Sequence, residues 1–473
     1  MRTAILCLAA IAQLALSSAE PTKIPLYRRS DDGIVKAAGQ ELSSGVLAGK
    51  VTIGGQDFTM AFDTTTGFSW VRGSRCKTEN CLDRCTYYGG RSKTFKSTGD
   101  KFSVEYGDSC VDTYLYLDTF EFAGLKVKNM PFGGAYRMSG FDHGFDGYLG
   151  LGRSVDFNKT KIHSSASGSL QKRDMTLPDS AFVPNAYQQA TGLDSAQFGM
   201  YTTSTSNNGF GTTGTGNGGQ QQPTDPNQPT NPNQPTDPNQ PGNQNPPPNG
   251  TQQPQTQQPQ QTQQPQQPQQ PPAENGGVTS GGFGFAKRHH KKAVAGYLVL
   301  GGVDSSAIEG DVNYIKLSDR HDGWDVCIRD ASFGHLNLKQ KENAVASIST
   351  STSFITLPAD QADKFHEKFG GKYYQSTKTY SVKCSEIKNL PPLTVTLEDH
   401  IVEIPAAYWT REIDADRDCC ATNIARGSSN ADWVLGTTFT NAFYTTFDTV
   451  ENQIGLALKK GQQNDGLKIY KKQ

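Results

Sequence analysis

Residues 46–65 alternate apolar and polar positions: Val51 and Ile53 run into Gly54-Gly55, and Phe58, Met60 and Phe62 follow. Alternation of this kind turns one face of a strand into a core, and a glycine pair between two such runs predicts a hairpin. The second strand of that hairpin ends at Asp63, so the pattern delivers a carboxylate to a loop. The same signature recurs at Leu393, Val395 and Leu397, followed by Val402 and Ile404. Helical patterns are few. FVPNAYQQAT at 182–191 and PADQADKFHEKF at 358–369 are the candidates, the second with Pro358 at a first helical turn. The pattern predicts a mostly β fold.

The chain also repeats itself. AFDTTTGFSWV at 61–71 is echoed by ASISTSTSFITLP at 346–358, and each is followed by an apolar pair and a glycine, Tyr148-Leu149-Gly150 and Val434-Leu435-Gly436. Asp63 precedes Gly150 by 87 positions, and Ser349 precedes Gly436 by the same 87. Two homologous lobes are implied, each offering one loop to a shared cleft. One loop brings a carboxylate and the other a hydroxyl.

Composition sharpens the domain boundaries. The chain has 473 residues, 34% of them apolar, with a formal charge of −1. That charge supports neither a nucleic-acid nor an anionic-membrane partner. Arg2, the apolar run Ala4–Leu16 and Ser17-Ser18-Ala19 read as a signal peptide over 1–19. A short N-terminal segment follows at 20–45, then a first lobe at 46–202, a second at 293–460 and a polar tail at 461–473. The protein is expected to be a monomer, secreted to the extracellular space or the cell wall.

Between the lobes, residues 203–292 are rich in Gly, Asn, Gln and Pro, with QPTDPN, QPTNPN and QPTDPN in tandem from Gln222. Such a stretch buries too little apolar surface to offset its ordering entropy, and disorder with polyproline-II character is expected. Lys172-Arg173 and Lys287-Arg288 bracket it. A dibasic-cleaving protease acting after Arg173 and Arg288 would excise residues 174–288. His289-His290-Lys291-Lys292 reads as a solvated basic loop rather than a metal site.

Nine cysteines are present, and Cys7 lies in the signal peptide. The eight others predict four disulfides in an exported protein, in preference to a zinc site. Cys76 and Cys81 would close a tight loop, and Cys384 would pair with Cys419 or Cys420. No metal or other cofactor is implied. Asn158-Lys159-Thr160 and Asn249-Gly250-Thr251 are glycosylation sequons.

Taken in order, these motifs resemble the pepsin-like aspartic proteases across both lobes. Phe62-Asp63-Thr64 matches the first catalytic loop of that family, and Trp70-Val71 the strand behind it. Tyr106-Gly107-Asp108 resembles the tip of the flap that closes over substrate. Phe145 to Gly152, Leu300 to Asp304, Trp433 to Gly436, Phe447-Asp448 and Ile454 to Ala457 match further family segments. The resemblance implies a bilobal fold of two β-barrel-like lobes and a cleft that binds an extended peptide, with Tyr106, Gly107, Asp108 and Thr352 as substrate contacts.

The family hydrolyses peptides with two aspartates that share one proton, the ionised one taking a proton from water and the neutral one bonding the substrate carbonyl. Here Ser349 stands at the second aspartate's place. Thr65 and Ser351 replace the glycines of the two loops, while Thr64 and Thr350 keep the family threonines. Side chains at 65 and 351 should crowd the site or reposition Asp63. Asp325, Asp330 and Asp360 lie nearby in sequence, none at the loop tip. The N-terminal segment is also shorter than the resemblance implies for a cleft-plugging prosegment, and Arg28-Arg29 would divide it.

The reading that follows is a catalytically inactive homologue that binds a peptide or protein in its cleft. An active aspartic endopeptidase with an altered site is the alternative. A third reading makes the Gln/Pro tract the working part of a wall-associated structural protein. Ser349 as a nucleophile is disfavoured, because Asp63 alone is a poor base for an alcohol.

Overall fold

The computed structural model describes residues 27–29, 33–42, 45–82, 84–107, 109–141, 144–155, 177–203, 294–319, 323–371, 373–374, 379–462 and 464–473. The signal segment, Asp108, Asn158, Arg173, residues 204–292, Asn249 and Arg288 lie outside them. Contacts divide the chain into one unit of 1–214 with 292–473 and a second of 215–291. All described residues belong to the first.

Both expected hairpins form. Leu47–Ile53 pairs antiparallel with Gln56–Asp63, and Leu393–Leu397 with His400–Ile404. Gly54 and Gly55 take positive φ values of 56° and 80°, a conformation in which a Cβ is strained. The two expected helices run over Phe182–Gln188 and Ala359–Phe369, and short ones the pattern did not show form at Ala406–Trp409 and Thr437–Thr440. Pro358 stands just before the second rather than within its first turn, where its fixed φ suits the entry and its missing N–H costs nothing.

The sequence repeat is a repeat in space. Gln56–Asp63 runs parallel to Gly147–Gly150, with Asp63 opposite Gly150. Val345–Ile348 runs parallel to Trp433–Leu435, with Ile348 opposite Leu435. An outgoing strand then crosses each partner antiparallel, Trp70–Arg72 in the first lobe and Ile355–Leu357 in the second. The equal spacing of 87 positions therefore marks two loops held by equivalent strands. The glycines that close each motif have a packing reason. A Cβ on Gly150 would lie 2.7 Å from the Gly67 backbone, and one on Gly436 would lie 2.3 Å from the Phe354 carbonyl oxygen.

Strands from both halves join in one sheet beneath these loops. Its order runs Ile308–Lys316, Gln453–Lys459, Tyr444–Asp448, Gln197–Thr202, Gly296–Leu300, Val35–Glu41 and on into the first lobe. Apolar packing is continuous across it: Phe198 stacks on Phe447 at 4.8 Å, and both meet Trp324, whose indole N–H donates to the Leu151 carbonyl at 3.0 Å. A second buried cluster surrounds Trp70 with Phe68, Phe141, Phe145 and Tyr148. No helix among the described residues is long and apolar enough to cross a membrane.

The expectation of four disulfides is corrected. Among the described residues two form, Cys76–Cys81 and Cys384–Cys420, while Cys85, Cys110, Cys327 and Cys419 are free. Successive strand residues point to opposite faces, so only one of Cys419 and Cys420 can meet Cys384. Cys420 is the buried one, and Cys419 sits across from Lys383 and Asp414. Cys110 lies opposite Glu105 and Ser139, and Cys327 opposite Val345. These registers place no cysteine across from either thiol.

Candidate active site

The two loops meet through their middle threonines. Thr64 donates its backbone N–H to Thr350 Oγ1 at 3.1 Å and its hydroxyl to the Ile348 carbonyl at 3.0 Å. Thr350 returns both bonds, from its N–H to Thr64 Oγ1 at 3.1 Å and from its hydroxyl to the Phe62 carbonyl at 2.6 Å. Both side chains are buried. Each bond contributes about 0.5–1.5 kcal/mol net, and leaving one partner unsatisfied in this dry setting costs more. The pair fixes the two loops against one another, which positions whatever residue precedes each threonine.

Asp63 precedes the first and is fully buried. Its Oδ1 accepts the Thr65 N–H at 2.8 Å and its Oδ2 accepts the Tyr106 hydroxyl at 3.1 Å. Burial pushes its carboxyl up to about 6, against those bonds, which favour the charged form. Ser349 precedes the second threonine and is also buried, its N–H held by the Leu435 carbonyl at 3.1 Å.

The third positions settle how the loops fit without their glycines. The Thr65 hydroxyl lies 2.8 Å from that of Ser349 and 2.7 Å from that of Ser351, and the two serine hydroxyls are 3.1 Å apart. Neither Thr65 nor Ser351 needs a positive φ. Their side chains thus turn into the gap between the loops and close a ring of three hydroxyls beside one carboxyl group. Hydroxyls both donate and accept, so the ring satisfies itself.

Above it, Tyr106 ends the strand Lys96–Tyr106 and Gly107 turns the hairpin at φ 61°, leading to Ser109–Phe122. The Tyr106 hydroxyl also accepts the Trp70 indole N–H at 3.1 Å. Its ring packs edge-on against Phe141 and Tyr148, which pack on Trp70 in turn. Burial, first, and the Asp63 charge push the phenol's pKa well above its usual range, so it stays a donor. A cavity of about 220 Å³ lies here, walled by Val46, Tyr106, Phe141, Tyr148, Ser351 and Thr352.

Asp63, Ser349, Thr64, Thr350, Thr65, Ser351, Tyr106 and Trp70 therefore come together as the sequence suggests, with Thr352 on the cavity wall. Gly107 forms the hairpin turn and is not part of that wall. The three acids near the second loop are engaged elsewhere. Asp325 accepts the Ser347 hydroxyl, Asp330 the Ala331 N–H, and Asp360 faces Lys364. Sequence reasoning missed the Tyr106–Asp63 bond and the Phe141–Tyr148 wall. The run Phe141, Phe145, Tyr148 was a visible aromatic signal for the wall; no sequence signal marks the bond.

The profile of the family described as eukaryotic aspartyl protease matches residues 47–214 and 273–459. Gastricsin of Oryctolagus cuniculus is 23% identical over 86% of the chain and 80% of its own length. Vacuolar protease A of Aspergillus fumigatus is 23% identical over 86% of the chain and 76% of its own length. Renin-2 of Mus musculus is 29% identical over 35% of the chain, a match spanning 42% of that relative. Two threonine-locked loops over a shared sheet, matched by a family profile on both sides of the central segment, place this chain in the eukaryotic aspartyl protease family.

Proposed function

We propose that this chain is a peptide-binding homologue of the aspartic proteases that has lost their chemistry. The observation that carries the reading is the Thr65 hydroxyl, which bonds Asp63 and touches both Ser349 and Ser351, so that the side-chain groups bonded to the Asp63 carboxyl are hydroxyls and not a second carboxyl. The aspartic protease mechanism uses one ionised and one protonated carboxyl group side by side to activate its water. An alcohol does not titrate in the working range, so Ser349 can orient a water or a carbonyl oxygen but cannot serve as the acid or the base of a carboxyl pair. Loss of acid–base catalysis alone lowers a rate about 10²–10⁴-fold, and loss of one member of an interdependent pair lowers it further.

What remains suits binding. The cavity beside Tyr106 is lined both by apolar and aromatic side chains and by the hydroxyls of Ser109, Ser351 and Thr352. The edge of the Lys96–Tyr106 hairpin can accept an extended peptide by backbone pairing. Such a protein would sequester or present a peptide rather than cut it. Arg2 and the apolar run behind it support delivery outside the cell, with glycans on Asn158 and Asn249. Excision of residues 174–288 is set aside, because it would remove the buried helix Phe182–Gln188 and the strand Gln197–Thr202 from the middle of the shared sheet.

An active endopeptidase with an altered site is the second reading. The elevated Asp63 pKa favours it, because the carboxyl still changes charge at mildly acidic pH. Calorimetric titration with peptides from trypsin-digested casein, followed by mass spectrometry, separates the two. Saturable binding with intact peptides supports the binding role; new peptide termini that disappear in Asp63→Ala favour the active enzyme.

A further inference from the structure

A groove of about 610 Å³ lies on the first lobe at the Gly54-Gly55 turn. That turn is at the opposite end of the Gln56–Asp63 strand from the candidate active site, roughly 20 Å away at ~3.3 Å per residue. Arg91, Lys93, Lys96, Lys126 and Lys128 line it, together with the carboxylate of Glu121. All five cations are exposed. In a chain whose formal charge is −1, this is a concentrated positive surface.

The fold builds the clustering. Lys126 and Lys128 are alternate residues of the strand Leu125–Ser139, with Leu125 and Val127 buried on the opposite face, so both project from one face. Lys96 starts the neighbouring hairpin and is steadied by Asn129 at 3.0 Å. Lys126 pairs with Glu121 at 2.7 Å. Arg91, Lys93 and Lys128 have no carboxylate partner among the described residues. The hydroxyls of Ser92 and Thr94 turn inward to the buried Asp118, which Tyr87 also bonds, leaving the cations to face solvent.

Unneutralised cations along a concave wall attract a polyanion and release its counterions on contact. The chemistry of the wall narrows the partner. Phe95, the groove's only aromatic lining residue among those described, is packed edge-on against Tyr116 and tilted against Tyr87, so no free ring offers a stacking face for bases. The same packing leaves no projecting apolar side chain in the lining to enter a bilayer.

We propose that this groove is a docking site for a linear anionic polysaccharide, independent of the peptide cleft. Heparin is the probe for the full chain, with unmodified dextran as the uncharged comparison. Binding to immobilised heparin should weaken linearly in log salt. Arg91→Ala/Lys93→Ala/Lys128→Ala should weaken it at least ~10-fold and flatten that slope. A control on other exposed lysines, Lys339→Ala/Lys341→Ala/Lys460→Ala, should leave affinity unchanged. All six residues are exposed, and such substitutions usually leave folding intact, which a thermal melt verifies. Equal losses in the two triple variants, equal binding of dextran, or no binding of heparin at low salt would overturn the assignment. Tighter binding of an oligodeoxythymidine or of anionic phosphatidylserine vesicles through the same three residues would overturn the class of partner.

Discussion

The Thr65 hydroxyl lies 2.8 Å from the Ser349 hydroxyl, across a gap that two carboxyl groups would otherwise share. We read Thr65 and Ser349, at the places where the resemblance puts a glycine and a second aspartate, as one arrangement, since their hydroxyls meet in the gap between the loops. Restoring the aspartate alone should then fail. Ser349→Asp would set a carboxylate against the Thr65 side chain, whereas Thr65→Gly/Ser349→Asp/Ser351→Gly reopens the gap. Peptide hydrolysis at pH 4 should be at least ~10²-fold faster in the triple variant than in the single one. Equal rates would contradict the steric role of Thr65.

Asp63 gives the protein a distinctive acid response. Its folded-state carboxyl, at about 6, lies above the ordinary value of 3.8, so between those limits the folded chain holds more protons than the unfolded one. The group's contribution is fully present below about pH 4 and is lost as pH rises through about 6. A shift of this size corresponds to roughly 2–3 kcal/mol. Urea unfolding from pH 4 to 7 should show the parent losing stability relative to Asp63→Asn. A constant difference across that range would show that the carboxyl is not desolvated.

Tyr106 donates to the same carboxyl and favours its charged form. Tyr106→Phe should therefore raise the Asp63 pKa further. Carbon NMR of aspartate-labelled protein would follow the titration, and a downward shift would mean the hydroxyl bonds elsewhere in solution. Stability should also fall by about 1 kcal/mol from the lost bonds to Asp63 and Trp70.

The threonine lock should behave as a unit. Thr64→Val and Thr350→Val each remove a hydroxyl that both donates and accepts between lobes. Each should cost about 1–3 kcal/mol, with the double variant costing less than the sum by 0.5 kcal/mol or more. Additive losses in a double-mutant cycle would mean that the two bridges form independently.

The two disulfides should differ in worth because they close loops of different length. Cys384–Cys420 spans 36 positions and Cys76–Cys81 spans 5. Chain-entropy arguments give about 4 kcal/mol for the first and about 2 kcal/mol for the second. Melting of Cys384→Ser against Cys76→Ser tests the order, and a larger loss from the short loop would reverse it.

Much of this was legible in the chain. Period-two alternation and the Gly54-Gly55 pair located the hairpin that ends at Asp63, and the matched 87-residue spacing located Ser349 as its counterpart. Strand periodicity is local, and so is the helix at 359–369. Contacts between residues distant in sequence were harder to read. Nothing near Thr65 announces that its hydroxyl would bridge Ser349 and Ser351, 284 and 286 positions away. The choice between Cys419 and Cys420 depended on which face of a strand met Cys384, and an even cysteine count carried no information about register. Tyr106 was legible as a hairpin tip, but its bond to Asp63 follows from how far the hairpin descends.

Digestion of a denatured protein mixture at pH 3–6 decides whether the site binds without cutting. The purified parent should leave the mixture intact, as should Asp63→Ala, while Thr65→Gly/Ser349→Asp/Ser351→Gly should cut it. Cleavage by the parent that vanishes in Asp63→Ala would contradict the account and require hydrolysis with a single carboxyl group.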